Sequence, residues 1–338
     1  MLKRIGKSTV AFRNPPVITG FSSVAGKKEG EGPLGPCFDF VADDDSFGET
    51  TWEKAESKMM KDAVNRALNK ADLTPNNIEY MFSGDLLNQC IVSSYGLRDF
   101  NISFFGLYGA CSTMAESIIL AAMAVDGEFA SNCVAVTSSH FCTAERQFRF
   151  PLEYGGQRTP TAQWTVTGSG AVVIQDRGQG PFITHATAGK IIDYGETDIN
   201  NMGAAMAPAA VSTMLEFFQD TDTKPQDYDL IITGDLSKTG ADLVMELMSR
   251  EGIDLGKTYT DCGLLIYDRE KQEAHSGGSG CGCSALVLAG HILPKIVRGE
   301  LRNVLLISTG ALMSPTSIQQ GESIPAVAHL VKISFLKS

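Results

Sequence analysis

Between residues 51 and 70, apolar side chains recur at three- and four-residue steps (Trp52, Ala55, Met59, Ala63, Ala67), and charged residues fill most other positions. A single apolar stripe of this kind predicts an amphipathic helix lying on a core. The stretch 106–125, GLYGACSTMAESIILAAMAV, has a different texture: a glycine-rich approach, Cys111, then a run of apolar and small residues. A helix that is apolar on all sides is expected to be buried on all sides. Short apolar runs bounded by turn residues predict strands at 17–23, 78–82, 132–137, 170–174 and 182–188. The first of these leads into a Gly/Pro-rich, acidic loop. Its Asp43, Asp44 and Asp45 read as a solvated run, with a cation site as the alternative. The segment ERQFRFPLEYGGQRTPTAQWT gathers Arg146, Arg149 and Arg158 with Phe148, Phe150, Tyr154 and Trp164. Guanidinium matches carboxylate bidentately and stacks on aromatic faces, so this segment is either a surface for a planar acid or a packing loop.

The pattern occurs twice. LTPNNIEYMFSGDL at 73–86 is answered by TKPQDYDLIITGDL at 223–236, which aligns Pro75 with Pro225, Gly84 with Gly234, Asp85 with Asp235 and Leu86 with Leu236. Further on, 111–141 aligns without a gap on 283–313, matching Cys111 with Cys283, Ser112 with Ser284, Gly127 with Gly299 and Thr137 with Thr309. Two matches in the same order, each setting helix on helix and strand on strand, predict a duplicated α/β chain with halves at 1–175 and 176–338. Alternating helices and buried strands call for helices packed on mostly parallel sheets. Pseudo-twofold halves would bring the helix starts at Cys111 and Cys283 to one cavity. Convergent N-termini there would serve an anion or a carbonyl oxygen, and would favour the Cys111 thiolate. The plain alternative is a small buried cysteine beginning a core helix.

Composition narrows the classes. The chain has 338 residues, 43% hydrophobic and 20% charged, as in ordinary globular proteins, and a net charge of −11 that argues against nucleic acid or a polybasic membrane patch. No run approaches the roughly 18 apolar residues needed to span a bilayer, and the start, MLKRIGKSTVAFRNPP, has no apolar leader core. Eight cysteines are scattered without the density of a disulfide framework, which predicts reduced thiols in a cytosolic setting. His275 with Cys281 and Cys283 lacks the paired spacing of structural zinc, and no metal site is expected.

The duplicated α/β pattern with Cys111 at a central helix start resembles the thiolase superfamily, including the β-ketoacyl-acyl-carrier-protein synthases. TGSGAVVIQ at 167–175 and LLISTGALMSP at 305–315 resemble segments of those enzymes. The resemblance implies a thiolase-like α/β fold, two pseudo-twofold halves in a layered αβαβα core. It also implies histidine, or histidine and asparagine, beside the cysteine to stabilise the oxyanion and move protons. Here the matching stretches are IITGDLSK, with Gly234 and Asp235, and GGSGCGCSA, with Cys281, Gly282 and Cys283. His275 lies upstream and His291 falls within the predicted helix. No catalytic residue is therefore assigned, and the expectation is a non-enzymatic chain with the pocket kept for binding.

Within that superfamily, FSSVAGKKEGEGPLGPCFD, GLYGACSTMAES and AHSGGSGCGCSALVLAG resemble a sporulation branch that serves the dipicolinic acid channel system of bacterial spores. The resemblance implies dipicolinic acid as ligand, alone or as its calcium chelate, with no other cofactor. It implies integral membrane proteins of that system as partners, a peripheral place on the cytoplasmic face of the developing spore's inner membrane, and roles in sporulation, transport and germination. A homodimer through the strand at 132–137 is also implied. Cys111, Gly234, Asp235, Cys281, Gly282, Cys283, His140 and Arg158 are the candidate ligand contacts. Asp235 would repel a bare dianion and favour the calcium chelate. The alternatives are a thiolase-type condensing enzyme acting through Cys111 and a ligand-free scaffold.

Overall fold

The computed structural model describes residues 3–148 and 158–335. Ten principal strands lie along one path in the order β8-β7-β9-β10-β6-β1-β5-β4-β2-β3. They are β1 Val17–Ala25, β2 Tyr80–Gly84, β3 Ser103–Gly106, β4 Asn132–Ser139, β5 Gly168–Gln175, β6 Phe182–Thr187, β7 Leu230–Thr233, β8 Tyr259–Asp261, β9 Asn303–Ala311 and β10 Ala326–Ser334. In the first half β1 pairs antiparallel with β5 and β5 with β4, while β4, β2 and β3 run parallel. The second half repeats this scheme: β6 antiparallel to β10, β10 to β9, then β9, β7 and β8 parallel. The halves meet where Phe182 of β6 pairs with Val17 of β1. The repeats seen in the sequence thus fall on corresponding strands, β2 with β7 and β4 with β9.

Helix α1 (Trp52–Lys70) begins where the Thr51 side chain accepts from the Lys54 N–H, and it buries Met59, Met60, Ala63, Val64 and Leu68 against the outer face of the first half. Short helix α2 (Ile91–Leu97) follows β2. Helix α3 (Thr113–Asp126), entered through a 3₁₀ turn at Ala110–Ser112, lies in the middle layer, where Met114, Ala115, Ile118 and Ala122 are fully buried. Helix α4 (Phe141–Phe148) follows β4. In the second half α5 (Met202–Thr221) and α6 (Ser237–Arg250) form the outer layer, and short α7 (Cys262–Ile266) leads toward α8 (Cys281–Val287), the middle-layer counterpart of α3. Three separate cores, outer, central and outer, are what five αβαβα layers require.

Two expectations change. Strand β4 is not an edge: β5 hydrogen-bonds one side of it and β2 the other, so 132–137 cannot pair with a second subunit. The edge of the first half is β3, which leaves Phe104 and Phe105 exposed. Arg149, Phe150 and Tyr154 of the arginine-aromatic segment lie outside the described residues.

Candidate functional site

The Cys111 turn is held by its neighbours. Ala110 takes a left-handed φ of 50°, and Gly310 of β9 lets the turn approach closely, since a Cβ there would lie 2.1 Å from the Gly109 carbonyl oxygen and 3.3 Å from the Cys111 nitrogen. Thr113 donates through its hydroxyl to the Ala110 carbonyl and accepts from the Gly109 N–H. The start of α8 packs beside this turn, so the two middle helices do bring their N-terminal ends together. The residue of α8 that joins Cys111 is Cys281 rather than Cys283. Cys281 shares a small apolar cluster with Cys111, Leu86 and Ala144, and its thiol donates to the Ser138 carbonyl at 2.9 Å. Cys283 points into the central core, and Gly282 is packed against the Gly168 carbonyl and Ser139.

Asp235 sits where the superfamily resemblance calls for imidazole, and it is fully buried. One carboxylate oxygen accepts from the Thr309 hydroxyl at 2.7 Å; the other accepts from the Gly280 N–H at 2.9 Å and the Ser279 hydroxyl at 3.1 Å. The Cys111 thiol lies within electrostatic reach of this carboxylate. The consequence reverses the thiolate expectation. Burial, then the negative Asp235, push the Cys111 thiol well above its ordinary range, outweighing the Gly280 N–H that opposes the shift. Burial likewise raises Asp235 despite the Thr309, Gly280 and Ser279 donors. Gly234 packs against Ser308 of β9 and presents no polar group.

Beside this pair opens a cavity of about 80 Å³ with a mouth to solvent. Cys111, Leu86, Tyr108, Ala144, Phe148 and Met313 give it an apolar and aromatic wall. A clasp between the halves builds the polar wall: Trp164–Thr165 pairs with Gly278–Ser279, and the Trp164 and Val166 N–H groups donate to the Gly277 and Ser279 carbonyls, both at 2.8 Å. The clasp delivers Thr165 and Ser279 to the cavity, together with Gln163. Gln163 donates through its amide nitrogen to the Asp235 carbonyl at 2.5 Å, while its buried Oε1 has no partner. Glu145 of α4 lines the same wall; among the described residues no lysine or arginine does.

The remaining candidates stand elsewhere. Arg158 pairs with Glu145 at 2.6 Å, donates to the Gln163 carbonyl at 2.8 Å and stacks over Trp164 and Phe141, with ring-centroid distances of 4.7 and 5.0 Å. It positions two lining residues without lining the cavity itself. His140 is buried, with Nε2 bonded to the Asp45 carbonyl and Nδ1 accepting from the Cys142 N–H. Asp235 likewise stands behind the lining, with every oxygen engaged, so it does not face a chelated cation. Sequence reasoning missed Gln163, Glu145, Thr165 and Ser279. The first three belong to the arginine-aromatic segment, whose density of polar and aromatic groups was the available signal.

Fold and site together define a thiolase-fold protein. Among solved structures, the chain is similar to 3-oxoacyl-[acyl-carrier-protein] synthase III from Aquifex aeolicus VF5 (TM-score 0.56, 14% identity, 94% of this chain and 99% of that one). It is also similar to cerulenin-bound OleA from Xanthomonas campestris (TM-score 0.60, 14% identity, 96% and 97%). The chain belongs to the family of Stage V sporulation protein AD (SpoVAD), whose model matches residues 6–334. It is 48% identical over 328 residues to the Stage V sporulation protein AD of Bacillus subtilis (strain 168), covering 97% of both chains. Among the described residues no helix is long and apolar enough to cross a membrane.

Proposed function

We propose that this sporulation protein is a non-catalytic ligand-binding subunit whose cavity beside Cys111 receives dipicolinic acid, as the free acid or its calcium chelate. It would serve the membrane machinery that loads dipicolinate into the developing spore. In that reading it works peripherally on the cytoplasmic face of the spore inner membrane, with integral membrane proteins of the same system as partners. The observation that carries the proposal is the thiol–carboxylate lock of Cys111 and Asp235. A nucleophile kept protonated by its burial and by a neighbouring acid, with no imidazole or asparagine side chain bonded to it among the described residues, is poorly equipped for acyl transfer. The cavity next to it remains open and suits a flat ring: aromatic and apolar faces on one side, hydroxyls and amides on the other.

The electrostatics favour the calcium complex. Among the described lining residues there is no cation to meet a bare dicarboxylate, whereas a calcium chelate carries its own counter-charge toward the Arg158-paired Glu145 and the buried, unpartnered Gln163 Oε1, both hard oxygen donors. Calcium here is cargo, carried with the ligand. The test is equilibrium dialysis of dipicolinate against the wild type and Ala144→Trp, which fills the cavity from its wall. Loss of binding with an unchanged melting temperature supports the cavity; retained binding moves the site elsewhere.

One observation favours a second reading, a condensing or acyl-transferring enzyme: Cys111 itself lines the cavity at a helix approach. Incubation with labelled acyl-CoA decides it, since an acyl group recovered on Cys111 would make the chain an enzyme.

A further inference from the structure

A second cysteine meets conditions opposite to those of Cys111. Of the eight cysteines Cys37 alone is exposed. Cys142 is half-buried, with its thiol pushed up to about 11 by burial, and the other six are buried. The backbone at Cys37 is fixed. It closes a 3₁₀ turn, Gly35–Cys37, in which the Cys37 N–H donates to the Leu34 carbonyl at 2.8 Å and the Phe38 N–H to the Gly35 carbonyl at 3.2 Å. Phe38 packs against the central core, so the turn holds the thiol at the surface.

The middle layer supplies its neighbour. Beyond α8 the chain winds into a π turn, Leu288–Ile292, before α9 (Leu293–Val297). Pro294 has no N–H for the Gly290 carbonyl four residues back, and the Leu293 N–H reaches the Leu288 carbonyl, five residues back. Gly290 makes room for the turn that carries Cys37: a Cβ there would lie 2.8 Å from the Phe38 ring and 3.3 Å from the Cys37 carbonyl oxygen. His291 of the π turn then stands with Nδ1 3.7 Å from the Cys37 Sγ. Burial, then the Lys295 and Arg298 charges, lower the His291 pKa against the opposing Glu300, so the ring is neutral near pH 7. With its proton on Nε2, the ring accepts from the thiol through Nδ1. The pair lies ten residues beyond Cys281, roughly 15 Å along the helix, and outside the lining of the Cys111 cavity.

We propose that Cys37 is a site of reversible thiol–disulfide exchange, with His291 as its base and a low-molecular-weight disulfide as co-reactant. Nδ1 takes the thiol proton as the Cys37 sulfur attacks one sulfur of the small disulfide. A bond from Cys37 to that sulfur forms and the small molecule's own S–S bond breaks. Its second half leaves as a thiolate and receives the proton from the imidazolium. Cys37 is thereby oxidised to a mixed disulfide and half of the co-reactant is reduced to a thiol; attack by a further small thiol reverses the step. The second sulfur comes from outside because the other cysteines are buried or half-buried. A metal is the poorer occupant, since among the described residues no group of three ligating side chains includes this pair.

The test mixes the full chain with glutathione disulfide and follows adducts by intact and peptide mass spectrometry. A synthetic peptide of residues 32–40 offers the same thiol without His291. The chain is expected to take one glutathione, on Cys37, about tenfold or more faster than the peptide, and a reducing thiol should remove it. His291→Gln should slow the chain to the peptide's rate, and Cys37→Ser should leave it unmodified. A chain no faster than the peptide, or an adduct on another cysteine, would overturn the assignment whether or not the variants fold. So would a His291→Gln chain that melts with the wild type and reacts at its rate.

Discussion

Asp85 and Asp235 occupy equivalent places after corresponding strands, β2 and β7, yet they face different partners. Asp85 closes its own loop, accepting from the Leu87 N–H at 2.9 Å and from the Ser93 N–H and hydroxyl at 2.8 and 2.6 Å. In the second half Asp261 takes that task, accepting from the Leu236 and Ser237 N–H groups at 2.9 and 2.8 Å. Asp235 is thereby released from loop closure and reaches Thr309, Gly280, Ser279 and Cys111. Duplication supplied two aspartates; the divergence of one created the lock on the cysteine.

Removing that charge should wake the thiol. Asp235→Asn is expected to lower the Cys111 pKa, because the like charge that raises it is gone. Iodoacetamide should then alkylate Cys111 faster at mildly alkaline pH, read by mass spectrometry. The amide cannot accept every bond the carboxylate does, so a stability loss of about 1–3 kcal/mol should accompany the change. An unchanged alkylation rate would mean that burial alone sets the thiol.

Buried acids should make the fold less stable as pH rises. Burial pushes Glu29 and Asp261 up to about 7 and Glu56 to about 8, with hydrogen bonds from Tyr267, Thr233, Ser138 and Thr143 opposing the shifts. Their neutral forms are favoured in the folded chain, so the contribution is complete below the unfolded-state range near pH 4–5. It is lost as pH climbs through 7 to 8, by up to about 1.4 kcal/mol per pH unit for each group. Chemical denaturation from pH 5 to 8 should show this decline, and Glu56→Gln should flatten it. A wild-type curve that rises over that window would refute the assignment.

If the chain pairs with itself, β3 rather than β4 is the strand available. Phe105 is 47% exposed on that edge, stacked 5.0 Å from Phe82. Light scattering of Phe105→Lys should show a shift from dimer to monomer. A dimer that survives would put the interface on another surface.

Much of this architecture is legible in the amino-acid order. The repeats locate β2 and β7, β4 and β9, and the apolar stripe locates α1, because two-residue and 3.6-residue periods are properties of the local chain. Strand neighbours are not: β4 reads as an apolar strand whether it lies at an edge or between β2 and β5. The repeat register aligned Cys111 with Cys283, but α8 starts at Cys281 and turns that residue toward Cys111 instead. Glu56 illustrates a signal passed over. It lies within the apolar stripe of α1, four residues before Met60, so its burial could have been read from spacing alone. The pairing of Asp235 with Thr309 and Gly280 joins three separate segments, which no window along the chain contains.

The most direct measurement is calorimetric titration of the full chain with dipicolinate, with and without calcium, and with isophthalate, which lacks the ring nitrogen, as control. Saturable binding that tightens with calcium and that isophthalate does not reproduce is the predicted result. Absence of heat in both conditions, or an identical isotherm with isophthalate, would contradict a dipicolinate-binding role for this cavity.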